Sequence, residues 1–483
     1  MNRYALLAGV CVVFAGQVSV AQTVSPEVQQ HIDKVTGCLH EPVMAKGDPC
    51  IPLEKRMETL HVPGVSIAVI HNGKMEWSRG FGVAKVGGPA VTAETMFQAG
   101  SISKPVAAMA ALKLVQEKKL ALDEDVNKEL TTWKLPTSEV AKGKPVTLRE
   151  LLTHTGGTTV HGFPGYAQGA PVPTLVQVLD GEKPANTPAI RIETEPGTKW
   201  NYSGGGFTIM QAVAIDAAKE PFAKLLQDSV LAPIGMKHST YEQPLPAAMG
   251  PAATPYNADG TPVEGGAHTY PERAAAGLWT TAPDLAMYVM ENQRSLEGKA
   301  NHVLSQEMTR EMMKKGMGNW GLGVEIGGTT ADPYFTHGGV NAGFEALFVG
   351  YENHGDGAVV MTNAQGGSRL AQEVMQSIAA EYGWPDFKPV VRTEVKVDRS
   401  VLETYVGTYE LTPRFSLTFN LEGDQLISQA SSQLKVPVFA ESETKFFTKM
   451  MNAEIEFVKD DKGAVTGMVL HQDGRDMKGV RKK

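Results

Sequence analysis

Hydrophobic and polar positions change their spacing several times along this chain, and each change marks a different kind of element. Ser25-Pro26 opens an amphipathic stretch with helical spacing that runs to about Val35. Gly64 to Ile70 is a short apolar run that reads as a strand, and Asn72-Gly73 supplies a hairpin turn before Met75-Glu76-Trp77-Ser78. The middle of the chain is helical, with Thr147 to Glu150 and Thr281 to Asp284 spelling capping boxes. Strands return at Tyr334 to His337, Glu345 to Tyr351 and Gly357 to Thr362, before a helix from Arg369 to Tyr382. Beyond Pro385 and Pro389 the period falls to two: Phe415, Leu417, Phe419 and Leu421 face one way, Ser416, Thr418 and Asn420 the other. The expectation is an α+β fold in which strands from both ends of a 22–390 domain form an antiparallel sheet flanked by helices. A separate β-rich domain, a small barrel or sandwich, follows over 395–483.

Composition narrows the function classes. With 45 basic against 53 acidic residues the net charge is -8, and no basic run occurs, so nucleic acid is not an expected partner. Residues 1–21 read as a cleavable signal peptide: Arg3, an apolar stretch from Ala5 to Ala15, then Ser19-Val20-Ala21 with small residues at the cleavage positions. The mature chain is then periplasmic or secreted, and no later segment is apolar enough to span a membrane. Of three cysteines, Cys11 falls in the leader. Cys38 and Cys50 remain and are expected to form a disulfide in that compartment. There is no Cys-x-x-Cys and no His-Glu-x-x-His, so neither a metal nor a cofactor is called for.

Three places carry candidate chemistry. Ser101-Ile102-Ser103-Lys104 sits where the extended Thr95 to Gly100 stretch meets the apolar run Val106 to Leu112. A helix brings residues three apart onto one face, so Lys104 reaches the Ser101 hydroxyl, and burial favours the neutral amine that a general base must be. Two further Ser-x-x-Lys matches, Ser432 to Lys435 and Ser442 to Lys445, lie in strand-like alternation, where the two side chains would diverge. Tyr202, on the glycine-rich approach to a helix (Asn201-Tyr202-Ser203-Gly204-Gly205-Gly206), can reach into a cleft and relay a proton; a packed loop tyrosine is the alternative. His337-Gly338-Gly339-Val340 places a histidine at a strand end, followed by two glycines that let a substrate backbone approach. The N–H groups of Val340 and Ser101 could face a developing oxyanion, although an ordinary bulge would use the same glycines.

Taken in order, these motifs resemble those of the penicillin-recognising serine hydrolases, which include class C β-lactamases, D-alanyl-D-alanine carboxypeptidases, D-aminopeptidases and related esterases. Val62 to Val65, Leu151 to Gly157, Ala276 to Thr281 and Gly321 to Gly323 extend the resemblance over about residues 52 to 385. It implies a β-lactamase-like fold with Ser101 as acyl-accepting nucleophile and Lys104 and Tyr202 sharing acid and base work. It also implies an oxyanion hole from the N–H groups of Ser101 and Val340, and substrate contacts at His337, Gly338, Gly339 and Gly204. Two positions depart from the β-lactam-active pattern. Gly204 stands where asparagine is usual, and His337 stands where lysine is more frequent, so a weaker grip on a substrate carboxylate follows. Tyr351-Glu352-Asn353 spells the missing motif, but in a hairpin after the third one. The resulting expectation is an exported serine hydrolase acting on a carboxylic ester or peptide-like amide of a small molecule or peptide. A β-lactamase and a penicillin- or peptidoglycan-binding protein of little turnover are the alternatives. Acyl specificity would rest on the loops Val160 to Leu175 and Gly250 to Tyr270, and the oligomeric state is left open.

Overall fold

A computed structural model describes residues 24–299, 302–413, 415–431, 435–472 and 475–482; the expected signal peptide and Ser432 lie outside them. In chain order the elements that position the site are α1 (Pro26–Gly37), β1 (Gly64–His71), β2 (Lys74–Gly82), α2 (Ser103–Gln116), α3 (Gly204–Ala218) and α4 (Ala282–Leu296). They are followed by β3 (Glu325–Gly328), β4 (Pro333–Asn341), β5 (Phe344–Tyr351), β6 (Gly357–Thr362) and α5 (Gly367–Tyr382). The six strands form one antiparallel sheet in the order β2-β1-β6-β5-β4-β3, joining the two ends of the domain as the strand distribution predicted.

Both faces of this sheet are covered, which is why β1 is a run of apolar residues rather than an alternation. Val65, Ile67 and Val69 pack with Ile32 and Val35 of α1 and Leu370, Val374 and Ile378 of α5. Ala68 and Ile70 face the layer built from α2, α3 and α4. The β1–β2 turn puts Asn72 and Gly73 at φ of 53° and 72°, the left-handed pair that an Asn-Gly hairpin uses. Ser25 caps α1 by accepting the Val28 N–H at 3.2 Å. Thr147 and Glu150 make the full reciprocal capping box. Thr281 caps the Asp284 N–H, but the Asp284 carboxylate turns instead to His238 N–H and the Ser239 hydroxyl, so that box is half formed.

The C-terminal domain is a closed eight-stranded antiparallel barrel between Gly407 and Arg481, preceded by a short helix α6 (Arg399–Tyr405). Closure comes from pairing the first strand with the last, Tyr409 opposite Arg481, and resolves the barrel-or-sandwich choice. Leu417 and Phe419 point inward as their period-two spacing required, and Tyr405 of α6 stacks on Phe457 at 4.1 Å. No helix among the described residues is long and apolar enough to cross a membrane. Cys38 and Cys50 are drawn together by the Leu39–Ile51 bridge but carry free thiols, so the expected disulfide is not formed in this structure. Burial and the neighbouring Cys50 push the Cys38 thiol up to about 11.

Candidate active site

Ser101 lies in a 3₁₀ turn, Gly100–Ile102, that feeds directly into α2. The helix is apolar on every side and buried from Ser103 to Leu112, so Lys104 enters the interior with only 2% of its surface exposed. Its ammonium nitrogen is held at two points, 2.9 Å from Ser101 Oγ and 2.8 Å from the Ala275 carbonyl oxygen. The same nitrogen sits 5.0 Å from the centre of the Tyr202 ring. The three residues expected to act together are therefore brought together, and of the two Ser-x-x-Lys serines among the described residues only Ser101 is so placed. Ser442 accepts the backbone N–H of Lys445 in a turn, while Lys445 reaches Glu454.

Two amide groups face the serine. Asn341 and Phe344 close a two-residue turn between β4 and β5, so their N–H groups pair across the strands and the next residue, Val340, directs its N–H away from β5. On that side β3 accompanies β4 only as far as Thr336, leaving the Val340 N–H without a neighbouring strand. What approaches instead is the Ser101 turn: a Cβ on Gly100 would stand 2.5 Å from Val340 N, and Gly100 has φ of 51°. Ser101 N–H belongs to the first turn of the helical segment, where no backbone acceptor precedes it.

The glycines of β4 act differently from expectation. The strand does not stop at His337 but continues through both glycines to Asn341. Gly339 faces the protein's own chain, and a Cβ there would run into the Ala99 carbonyl oxygen; Gly338 faces outward with open space above it. Close approach at Gly339 therefore seats the strand against the nucleophile turn, and only Gly338 is exposed to a ligand. Asn341 fastens the same strand from below, its Nδ2 donating to Gln98 Oε1 at 2.9 Å and to the Ala276 carbonyl at 3.0 Å.

His337 is 4% exposed and lies beside Trp320 and Tyr202, with ring centres 5.5 and 6.3 Å away. Burial, and then the charge of Lys104, bring its pKa down to about 3, so it is neutral at pH 7. Its Nδ1 meets the Gly338 carbonyl at 2.5 Å and must donate there, leaving Nε2 as an unpartnered acceptor. A neutral ring agrees with the weak carboxylate grip inferred from the sequence. Gly204, the other departure, is buried at the start of α3 and presents nothing to a ligand: a Cβ there would stand 2.8 Å from the Phe163 ring. Phe163 thus fills the space that an asparagine side chain would need. Tyr351 sits at the end of β5 and donates to Asp386, and Asn353 donates to the Ala331 carbonyl, so that second Tyr-x-Asn is committed elsewhere.

Several residues at the site were not among the candidates read from the sequence, although His154 lies in the Leu151 to Gly157 stretch that carries the resemblance. Phe163 arrives on the Val160 to Leu175 loop, where Tyr166 pairs with Thr269 of the Gly250 to Tyr270 loop. His154 and Trp320 pack around Tyr202, with ring centres 4.3 and 5.8 Å from it. Glu272 precedes the Arg273–Ala276 turn that offers its Ala275 carbonyl to Lys104. Both of its carboxylate oxygens are buried without a partner, and burial pushes its pKa up to about 7.

The comparisons with known proteins agree with this geometry. Residues 391–481 match a domain family of unknown function, DUF3471. Penicillin-binding protein 4* of Bacillus subtilis is 21% identical over 463 residues, 89% of this chain and 98% of that protein. A beta-lactamase of Pseudomonas fluorescens is 28% identical over 277 residues, 57% of this chain and 72% of its own. Among solved structures, the octameric penicillin-binding protein homologue from Pyrococcus abyssi superposes with a TM-score of 0.61 at 22% identity, covering 88% of this chain and 98% of that one. Residues 53–381, which contain every residue of the site described above, match the beta-lactamase family, and the chain belongs to that family of serine hydrolases.

Proposed function

We propose that this protein is an exported hydrolase in which Ser101 is acylated by a carboxylic ester or peptide-like amide and the acyl-enzyme is then hydrolysed. The observation that carries the reading is the bridge of Lys104 between Ser101 Oγ and the Ala275 carbonyl, which holds its nitrogen at hydrogen-bond distance from the serine hydroxyl. Ser101 Oγ attacks the substrate carbonyl carbon while its proton passes to the Lys104–Tyr202 pair. The carbonyl oxygen takes negative charge facing the N–H groups of Ser101 and Val340. Collapse of the tetrahedral species expels the alcohol or amine, which leaves with the proton. Water then attacks the acyl group by the same route in reverse, releasing the acid and restoring the serine.

Phe163 and the neutral His337 shape the preference. An acyl side chain meets an aromatic ring where β-lactam-active relatives offer an amide, and no cation at position 337 rewards a free carboxylate. This favours an ester or amide with an apolar acyl portion over a penicillin. Turnover of a short-chain p-nitrophenyl ester, a chromogenic cephalosporin and a D-amino-acid anilide, each with Ser101→Ala alongside, tests the reading. Ester or anilide turnover that vanishes in the variant is expected, with less than about threefold loss when a substrate carboxylate is amidated. Stoichiometric labelling with no product would instead favour the binding protein, and fast cephalosporin turnover the β-lactamase.

A further inference from the structure

We propose that His154 is the positioning residue for Tyr202: one buried side chain and its own backbone fix the loop on either side of the tyrosine and support the phenol from below. This rests on the assignment of proton transfer to Tyr202.

Tyr202 needs such a device because it belongs to neither helix nor strand; it lies in the irregular stretch before α3. The residues on either side of it are both tied to His154. Asn201 N–H donates to the His154 carbonyl at 2.8 Å, and Ser203 N–H donates to the His154 ring at Nδ1, 3.1 Å away. The imidazole then lies under the phenol, with ring centres 4.3 Å apart and planes at 36°. Other bonds reach the loop, from the Ser203 hydroxyl to Thr158 and the Thr159 carbonyl and from the His161 ring to the Tyr202 carbonyl, but among these residues His154 alone ties the positions on both sides of the tyrosine and also packs under its ring.

The chemistry of the ring suits this task. To accept at Nδ1 the imidazole must be neutral with its proton on Nε2. Complete burial, followed by the nearby charge of Lys104, holds it neutral well below its ordinary range. His154 itself is placed by the capped turn Leu148–Leu152 that precedes it, and it takes a left-handed φ of 58° to bring its ring under the loop. A residue kept only for bulk would need neither the bare Nδ1 nor that backbone.

The test uses the whole chain and the rate at which a fluorophosphonate labels Ser101, followed by intact mass, so it needs no knowledge of the natural substrate. His154→Asn sets an amide oxygen where Nδ1 stood and tolerates a left-handed backbone. His154→Leu keeps bulk and removes the acceptor; if it does not fold, His154→Gln, whose amide lies beyond the Nδ1 position, takes its place. Per folded molecule, the acceptor-less variant is expected to label roughly tenfold to a hundredfold more slowly, as a misplaced catalytic group does. His154→Asn should stay within about fivefold of the wild type. In a Tyr202→Phe background the acceptor-less change should add little, because both act through one phenol. Wild-type labelling by the folded Leu or Gln variant would overturn the proposal. So would an equal loss in the Tyr202→Phe background, or an Asn variant as slow as the acceptor-less one. Labelling of Tyr202→Phe at the wild-type rate would overturn the tyrosine's role and this inference with it, whereas a wild type that does not label at all would overturn the hydrolase reading itself.

Discussion

At the scale of single residues, the departure at Gly204 makes a sharp prediction because its consequence is steric as well as chemical. Restoring the asparagine of β-lactam-active relatives by Gly204→Asn should not raise cephalosporin turnover, since the new Cβ meets Phe163 at 2.8 Å. Gly204→Asn combined with Phe163→Ala should raise it above both single variants, measured as kcat/KM on a chromogenic cephalosporin. Glu272 gives a second prediction. Its carboxyl keeps its proton in the folded state up to about pH 7, while the unfolded chain loses it near 4.5. Folding therefore holds an extra proton between those values, and stability falls as pH rises through that window, by about 3 kcal/mol in all. Glu272→Gln removes the titration, so from pH 5 to pH 8 the variant should gain on the wild type by about that amount in urea unfolding. Ser101 and Lys104 were legible in sequence because their relationship is local, three residues along one helix. Phe163 was not, and His154 only as part of the Leu151 to Gly157 stretch, since their contacts, Gly204 for the first and Tyr202 and Ser203 for the second, lie 40 or more positions away and are brought there by packing; Glu272 was not because burial in the folded chain sets its protonation.

At the scale of elements, the seating of β4 against the Ser101 turn decides whether the two N–H groups can share an oxygen. Gly339→Ala places a methyl into the Ala99 carbonyl and must push the strand away from the turn. The expected result is a loss of at least about a hundredfold in kcat, the scale of removing an oxyanion donor, with a modest fall in melting temperature. Gly338→Ala points its methyl to open space, nearest the Ala346 oxygen at 3.8 Å, and should keep activity within about threefold. Equal effects of the two substitutions would refute the seating argument. The sequence reading ended this strand at His337 because glycines interrupt the period-two signal. Here they lie inside the strand, Gly339 because another piece of backbone leaves no room for a side chain. The reverse holds for the barrel, whose alternation was plain: its strands pack one face inward, and nothing but period two is needed to see that.

At the scale of the molecule, two cores meet at a narrow seam. Every residue of the core on the α1 and α5 side lies before position 390, and the barrel core begins at Val397. The seam includes Val43–Ala45 pairing in parallel with Val390–Arg392, Arg392 paired with Glu441 and Glu454, the Asp48–Lys449 ion pair at 2.7 Å, and Phe447 packed on Val43 and Ala45. Cys38 and Cys50 stand at the base of the loop that carries this seam. In exported protein they are expected to be joined, so that denatured but unreduced material shows no alkylatable thiol and reduced material shows two. Joining them closes the base of the docking loop and leaves the catalytic layer untouched, because Ser101 sits on the opposite face of the sheet, on the helix that packs with Ala68 and Ile70. Removing the barrel should therefore separate stability from chemistry. A chain ending after Lys388 loses the parallel strand and the Phe447 cover, exposing Val43 and Ala45, and should melt several degrees lower. Its Ser101, Lys104, Tyr202 and Val340 keep every contact described above, so fluorophosphonate labelling should proceed within about threefold of the full-length rate. A loss of a hundredfold or more, with the truncated protein still folded by circular dichroism, would mean that the barrel reaches the site by a route other than the seam.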